Sequence, residues 1–370
     1  MQSRETFKKP LAELGLDDVR DLVDGSIGEP LLWEAKGADV RPEQIAKAAC
    51  AFSNGVEPGY VLIGVEEDGT DWRFPGRAFG QVEASTWVSD IIQGSLRPLP
   101  RFAVVDFPGE QEGSRIAVIE IQPVSTPPCI ANGTVLERLP GKSVRVSDPL
   151  RLAELYERGR AARVEARTAA DRFASELVAS FGDIEAAEGE PLRFSITLAA
   201  TGKKMDVSGV IFTKDFETKI VEACGAHFGP KGPLPEVIRP GVRHQVTQTS
   251  QETELLDISA LDGRRSWKLQ ARWDGSVGAA YLSESDFYDV SQITDYALRD
   301  SLKAIALVMD HAGGFGEMYL TVAIYGGRNL NGKLTGTVKR GPFDLDEIEP
   351  ILDSVYRELC RITGQAVYED

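Results

Sequence analysis

Between Gly59 and a cluster of acids at 66–68 runs "YVLIGV", residues 60–65, strand-length and without a charge. A strand with one wet face alternates apolar and polar positions. An unbroken apolar run of this length belongs to a strand covered on both faces. Such a strand requires a layer on each side, which points to an α/β unit around it. The preceding stretch, "RPEQIAKAACAFSNG", supplies a helix for one layer. Ile45, Ala48, Ala49 and Phe52 fall at i, i+3, i+4 and i+7, Pro42 suits the first turn, and Asn54-Gly55 makes a stop.

The surrounding pattern extends that unit. "LAELGLDDVRDLVD" (11–24) predicts an amphipathic helix and "LLWEAK" (31–36) a strand. A helix is expected over 83–95, strands near 101–107 and 115–121, a last strand at "VLERL" (135–139), and a further helix from 148. Residues 1–150 are read as one α/β domain and 151–182 as a helical connector with Gly159 as a break. Residues 183–370 are read as a separate α+β domain of unassigned role, with sensing, substrate selection or oligomerisation open to it. In that last part "LRFSITLA", "MDVSGVIF", "RSWKLQARW" and "EMYLTVAIYG" read as strands. Residues 215–229, 290–313 and 343–364 read as helices, the last interrupted near Pro350.

Composition narrows the function classes. Residue usage is ordinary for a folded protein, and no segment approaches the roughly 20 apolar residues that span a bilayer. "MQSRETFKKPLAELG" is too polar for a signal peptide, so a cytoplasmic location is expected, with no membrane partner. Cys50, Cys129, Cys224 and Cys360 show no paired spacing and read as reduced, mostly buried thiols. Cys224 and His227 have a zinc-like spacing with no second pair following, so zinc is not expected there. The net charge of −16 argues against broad, nonspecific nucleic-acid binding but leaves room for a local basic groove. No Ser-His-Asp or Cys-His arrangement can be defended from the three histidines.

One constellation carries chemistry. Glu29 and Glu34 flank the first strand, and Lys36 shares a face with Glu34 by the two-residue period. Glu66, Glu67 and Asp68 close the buried strand. Carboxylates gathered in one pocket repel each other unless a cation joins them, and hard ions such as Mg²⁺ or Mn²⁺ take oxygen ligands. Such an ion can activate a phosphodiester while a lysine offsets developing charge. The bland alternative is a set of solvated strand ends with an ordinary ion pair.

The order E-x4-E-x-K, then "IAKAACAFSNG", then "GYVLIGVEEDG" resembles the AlbA-like domain of the Schlafen family. "NGTVLERLPGKSV" (132–144) is similar to a further segment of that domain. The resemblance covers roughly residues 10–160. It implies an RNA- or DNA-binding domain and, as in the members that are endoribonucleases, a three-acid site. Carried over by position, the acids are Glu29, Glu34 and Glu67, with Asp68 as a substitute and Lys36 as the accompanying lysine. The implied cofactor is Mg²⁺ or Mn²⁺, and the implied setting is phage defence or stress response. Ala35 departs from the aromatic the family carries there, and "GVEPG" replaces its Gly-Gly turn.

Other features have plainer readings beside functional ones. Arg138 and Lys142 can contact a phosphate backbone or sit in a solvated turn. "SNGVEPG" lacks the Gly-Lys-Ser/Thr of a phosphate-binding loop and precedes a strand, so it reads as a connecting turn. Arg160, Arg163 and Arg167 share one helix face, either solvated or in contact with nucleic acid or a subunit. "RPGVRHQ" (239–245) is an exposed loop or a binding loop. The chain is thus expected to bind RNA or DNA and, in the sharper form, to cleave RNA with a divalent metal. The alternative is a non-catalytic regulator or scaffold that binds nucleic acid or a nucleotide, and a homo-oligomer is left open.

Overall fold

The computed structural model describes residues 7, 9–25, 31–69, 71–180, 192–203, 219, 254–262, 265–272, 274–283, 298–312, 314–326, 328–329, 332–333 and 335–363. The chain divides into two compact units, Met1–Arg160 and Ala161–Asp370. Glu29, the strand expected at 205–212, the loop 239–245, and the helix expected at 215–229 (residue 219 aside) lie outside the described residues. So do Cys224, His227 and His244.

In the first unit the order is α1 (Leu16–Asp24), β1 (Trp33–Lys36), α2 (Pro42–Ser53), β2 (Gly59–Ile63), β3 (Glu66–Asp68), β4 (Asp71–Arg73) and α3 (Ala84–Ser95). Then come β5 (Leu96–Arg97), β6 (Phe102–Pro108), β7 (Arg115–Ile121), β8 (Ile130–Ala131), β9 (Thr134–Leu139), β10 (Lys142–Arg145) and α4 (Pro149–Ala179). One sheet has the order β1-β2-β7-β6, with β1 parallel to β2 and the other pairs antiparallel. A second runs β10-β9-β8-β5, and β3 pairs β4 as a hairpin.

The central apolar run is covered on both faces, as its composition requires. Val61 and Ile63 pack with Ile45, Phe52, Val88 and Ile92 of α2 and α3. Leu62, between them, faces Trp33 and the α1 residues Val19, Leu22 and Val23. Alternate side chains of one strand therefore serve two cores.

Several expectations are corrected. The helix predicted from 11 begins at Leu16, behind a short 3-10 turn at Leu11–Glu13. "VLERL" is not the last strand, because β10 follows and pairs with it. Gly159 does not break the helix: α4 runs through it. A Cβ there would sit 2.3 Å from the Pro127 carbonyl, so the glycine lets the helix pass close to that loop. Arg158 Nη2 donates to the Asn54 carbonyl at 2.8 Å beside it. The expected connecting turn at 54–58 does join α2 to β2.

The second unit adds β11 (Leu192–Lys203), β12 (Glu254–Asp262), β13 (Arg265–Arg272), β14 (Val277–Ser283) and α5 (Arg299–Ala312). These are followed by β15 (Gly314–Tyr325), a small β16–β17 hairpin (Arg328–Asn329, Gly332–Lys333), β18 (Gly336–Phe343) and α6 (Ile348–Thr363). Its antiparallel sheet has the order β12-β13-β14-β11-β15-β18. One face packs Phe194, Ile196, Leu320 and Val322 against α5 and α6 through Ile305, Val308, Val355 and Leu359. The other takes the end of α4 through Ala166, Ala170, Phe173 and Leu177. Pro350 sits in the first turn of α6 and interrupts nothing, since an amide there has no intrahelical acceptor to lose. Among the described residues no helix is long and apolar enough to cross a membrane.

Candidate nucleic-acid interface

Strand alternation decides which way β1 presents its charges. Trp33 and Ala35 pack into the core shared with α1, which turns Glu34 and Lys36 to the opposite face. There Glu34 meets a guanidinium from a distant part of the chain. Arg138 Nη1 on β9 donates to Glu34 Oε2 at 2.6 Å, and its Nη2 donates to the Trp33 carbonyl at 2.9 Å. Ser143 Oγ on β10 donates to the same carboxylate oxygen at 3.1 Å. Lys36 Nζ pairs with Glu34 Oε1. The Arg138 guanidinium also lies 5.5 Å from the centre of the Phe52 ring on α2, within cation–π range.

Burial gives these contacts their weight. The Glu34 and Arg138 side chains are 8% and 3% exposed, and Lys36 is 20% exposed. A carboxylate taken this far from water persists only when its oxygens are matched by donors. Here two cations, Lys36 and Arg138, serve one carboxylate. Lys36, the more open cation, has ammonium protons beyond the one aimed at Glu34. Arg138 is therefore no part of a solvated turn. Lys142 is exposed, and in the β9–β10 hairpin it stands opposite Leu139.

The acids after β2 are dispersed. Glu66 Oε1 accepts from the Ala38 amide at 2.9 Å. It lies where a Gly37 Cβ would come within 2.6 Å, so the glycine admits the carboxylate. Glu67 is exposed opposite Trp72, and Asp68 pairs with Arg73. Thus Glu66 touches the exit of β1, Glu67 faces solvent, and Glu29 lies outside the described residues. Among the described residues no group of three or more His, Cys, Asp or Glu side chains is placed to hold a metal ion.

Three supports of this site escape sequence reasoning. Asn54, read only as a helix stop, is buried. Its Nδ2 donates to the Cys129 and Leu136 carbonyls, both at 2.9 Å, and its Oδ1 accepts from the Cys129 amide at 2.6 Å. It thereby ties α2 to β9, the strand that carries Arg138. Arg77 Nη1 donates to the Ala38 and Val40 carbonyls at 2.9 and 2.8 Å, and its guanidinium lies 4.5 Å from the Trp87 ring centre, holding the loop after β1. Cys50, 79 positions from Cys129, donates its thiol to the Cys129 carbonyl at 3.4 Å. Both thiols are buried and unoxidised. The neighbouring Cys50 thiol, and secondly burial, push the Cys129 thiol well above its ordinary range. Only the capping role of "SNG" was visible beforehand.

Comparison with known proteins bears on this unit. Residues 31–147 match the family model described as Schlafen, AlbA_2. The Schlafen match spans β1 to β10 and so contains Glu34, Lys36, Asn54, Arg138 and Ser143, while Ala161–Asp370 lies beyond it. No curated protein matches the chain. A crystal structure of the DIP2311 protein from Corynebacterium diphtheriae is similar at 18% identity and a TM-score of 0.27. That similarity covers 42% of this chain and 31% of the other.

Proposed function

We propose that Met1–Arg160 is a nucleic-acid-binding domain that contacts a phosphate through Lys36, held in place by Glu34 and Arg138. The observation that carries this reading is the buried Glu34 carboxylate shared by two cations, inside the segment that matches Schlafen, AlbA_2. Lys36, the more open of the two cations, offers an anion the ammonium protons that are not aimed at Glu34. Glu34 and Arg138 act as positioning residues. This is the binding function of a regulator or scaffold, and it requires no chemistry on the nucleic acid. Fluorescence anisotropy with labelled RNA and single-stranded DNA tests it. Lys36→Ala lowers affinity about tenfold, as expected for a lost charge-assisted contact, and reduces the salt dependence by about one phosphate contact. Unchanged affinity and salt slope reject the reading.

A second reading is metal-dependent endoribonuclease action in phage defence or stress response, with Glu29, Glu34 and Glu67 binding Mg²⁺ or Mn²⁺ and Asp68 as a substitute. It is favoured by the contact between Lys36 and Glu34, the pair that the Schlafen-like order brings together. The described donors do not fit a metal centre as arranged. Both Glu34 oxygens are engaged, two cations flank the carboxylate, and Glu67 points to solvent. Incubating tRNA with the protein and Mn²⁺ tests this reading, using the exposed Glu67→Gln and the Glu29→Gln variants. Cleavage by wild type that is lost in both variants favours hydrolysis, and cleavage retained in both rejects the assignment.

A further inference from the structure

The second unit carries a cationic cleft, well outside the Schlafen-matching segment. It lies where α4 crosses β15 and the edge strand β18, and is lined by Arg167, Asp171, Tyr319, Thr321, Lys339 and Arg340, among others. Sheet register brings Thr321 opposite Lys339 and Leu320 opposite Arg340. Arg167 and Asp171 are one helical turn apart on α4, so both face the same strands. Three cations and one carboxylate line the cleft, so its lining residues carry a net charge of plus two.

The three arginines along this helix face are not equivalent. Arg160 pairs with Glu157 on its own helix at 2.6 Å. Arg163 forks onto Glu317, with distances of 2.6 and 2.7 Å to the two oxygens. Arg167 makes no ion pair among the described residues, and its guanidinium lies 6.0 Å from the centre of the buried Tyr319 ring. An arginine that rests on an aromatic ring keeps its fork of donors for an incoming anion.

The other groups are already set. Asp171 accepts from Thr321 Oγ1 at 2.8 Å and from Lys339 Nζ at 2.7 Å, which places the lysine at the cleft. Arg340 is locked by donation to the Ser354 hydroxyl and carbonyl at 2.9 and 3.0 Å, so it contributes fixed charge. We propose that this cleft binds one phosphate group, with the Arg167 fork on two of its oxygens and Lys339 on a third. Asp171 orients Lys339 and, by its own charge, keeps the affinity moderate. The phosphate is either free or on a mononucleotide, or it belongs to a nucleic-acid backbone. The proposal does not depend on the role given to Lys36.

The test uses the full chain and three probes: inorganic phosphate and ATP by calorimetry, and a labelled single-stranded RNA by anisotropy. Arg167→Ala weakens whichever probe binds by about tenfold, the loss expected for a charge-assisted fork. Asp171→Asn strengthens the same probe, because it removes the repelling carboxylate. Arg160→Ala, whose arginine is already paired, leaves binding unchanged. Loss seen with phosphate or ATP assigns a small ligand, and loss confined to RNA assigns a backbone phosphate. Melting curves check folding, and Lys339→Gln replaces any variant that fails to fold. Identical affinities for wild type, Arg167→Ala and Lys339→Gln overturn the proposal, as does failure of every probe to bind wild type at millimolar concentration. If Arg167→Ala weakens RNA binding while Lys36→Ala does not, this inference stands and the Lys36 reading falls.

Discussion

Glu34 in the first unit and Asp171 in the second each accept from a lysine and a hydroxyl, yet their surroundings differ. Glu34 is 8% exposed and shares its carboxylate with an arginine that is 3% exposed. Asp171 is 31% exposed and its lysine 54% exposed. Water screens the second pair, and exposed pairs of this kind contribute little to stability. The first pair has given up hydration, so each member depends on the other. The contrast teaches where each unit can be altered. The anion-facing charges of the second unit can be removed without unfolding it, whereas those of the first are part of its core.

The most severe way to break this comparison is Arg138→Ala. It leaves the Glu34 carboxylate buried with only Lys36 and Ser143, and it removes the donor to the Trp33 carbonyl. A loss of about 3–5 kcal/mol is expected, as for other buried pairs broken on one side. Urea unfolding followed by tryptophan fluorescence measures it, Trp33 being fully buried in this unit. The double variant Glu34→Leu with Arg138→Met sharpens the point. It removes both charges and should regain much of the loss. A loss under about 1 kcal/mol in the single variant would mean that the pair behaves like a surface one.

Asn54→Ala comes next. It strips donors from the Cys129 and Leu136 carbonyls and an acceptor from the Cys129 amide, all buried. Leaving one such group unmatched costs about 1–3 kcal/mol. Asn54→Asp should be worse than alanine, since a carboxylate would face two carbonyl oxygens. Equal stability of Asn54→Ala and wild type would show that the amide does not tie α2 to β9.

The fold of the first unit was largely legible because it rests on local patterns. The apolar run at 60–65, the helix periodicity of 41–55 and the alternation at 33–36 each specify an element and a buried face. Gly159 and Pro350 misled for the opposite reason. What a glycine or proline does in a helix depends on its neighbour in space and its place in the turn, and neither is local. The site was legible only in part. The contact between Glu34 and Lys36 follows from strand period. The partnership of Glu34 with Arg138 joins positions 104 apart, and no periodicity announces it. Equally hidden were Glu66 turning to Ala38 and the separation of Arg167 from Arg160 and Arg163, since all depend on packing between distant segments.

A milder test lies on the strand pair β2–β7. Glu120 is half-buried opposite Tyr60. Burial raises its carboxyl above the ordinary range, although Gln122 Nε2, donating to Glu120 Oε1 at 2.7 Å, opposes this. An acid whose pKa is raised on folding favours the folded state when protonated. The fold therefore loses stability as pH rises through the unfolded carboxylate range to the folded value. Glu120→Gln should raise stability at neutral pH, with the gain fading below about pH 4, where the unfolded carboxylate also protonates. Tyr60 gives an independent readout. Burial, and secondly the Glu120 charge, pushes its phenol up to about 12. Removing that charge should bring the phenol down in a spectroscopic titration. A stability difference that does not change with pH would mean that Glu120 is charged at no cost.

The smallest effect is expected at the best-formed exposed pair of the second unit. Arg163 forks onto Glu317 at 2.6 and 2.7 Å, a geometry as good as that of Arg138 on Glu34. Its side chains are 45% and 23% exposed. If geometry alone set the worth of an ion pair, Arg163→Ala would cost as much as Arg138→Ala. If burial sets it, the cost is about 0–1 kcal/mol and shrinks further in high salt. Urea unfolding of both variants at low and high salt separates the two explanations. A loss at Arg163 that is comparable to the loss at Arg138 and insensitive to salt would remove the distinction between the units. A small, salt-screened loss there, beside a large, salt-resistant one at Arg138, places the difference in the water around the pair rather than in its distances.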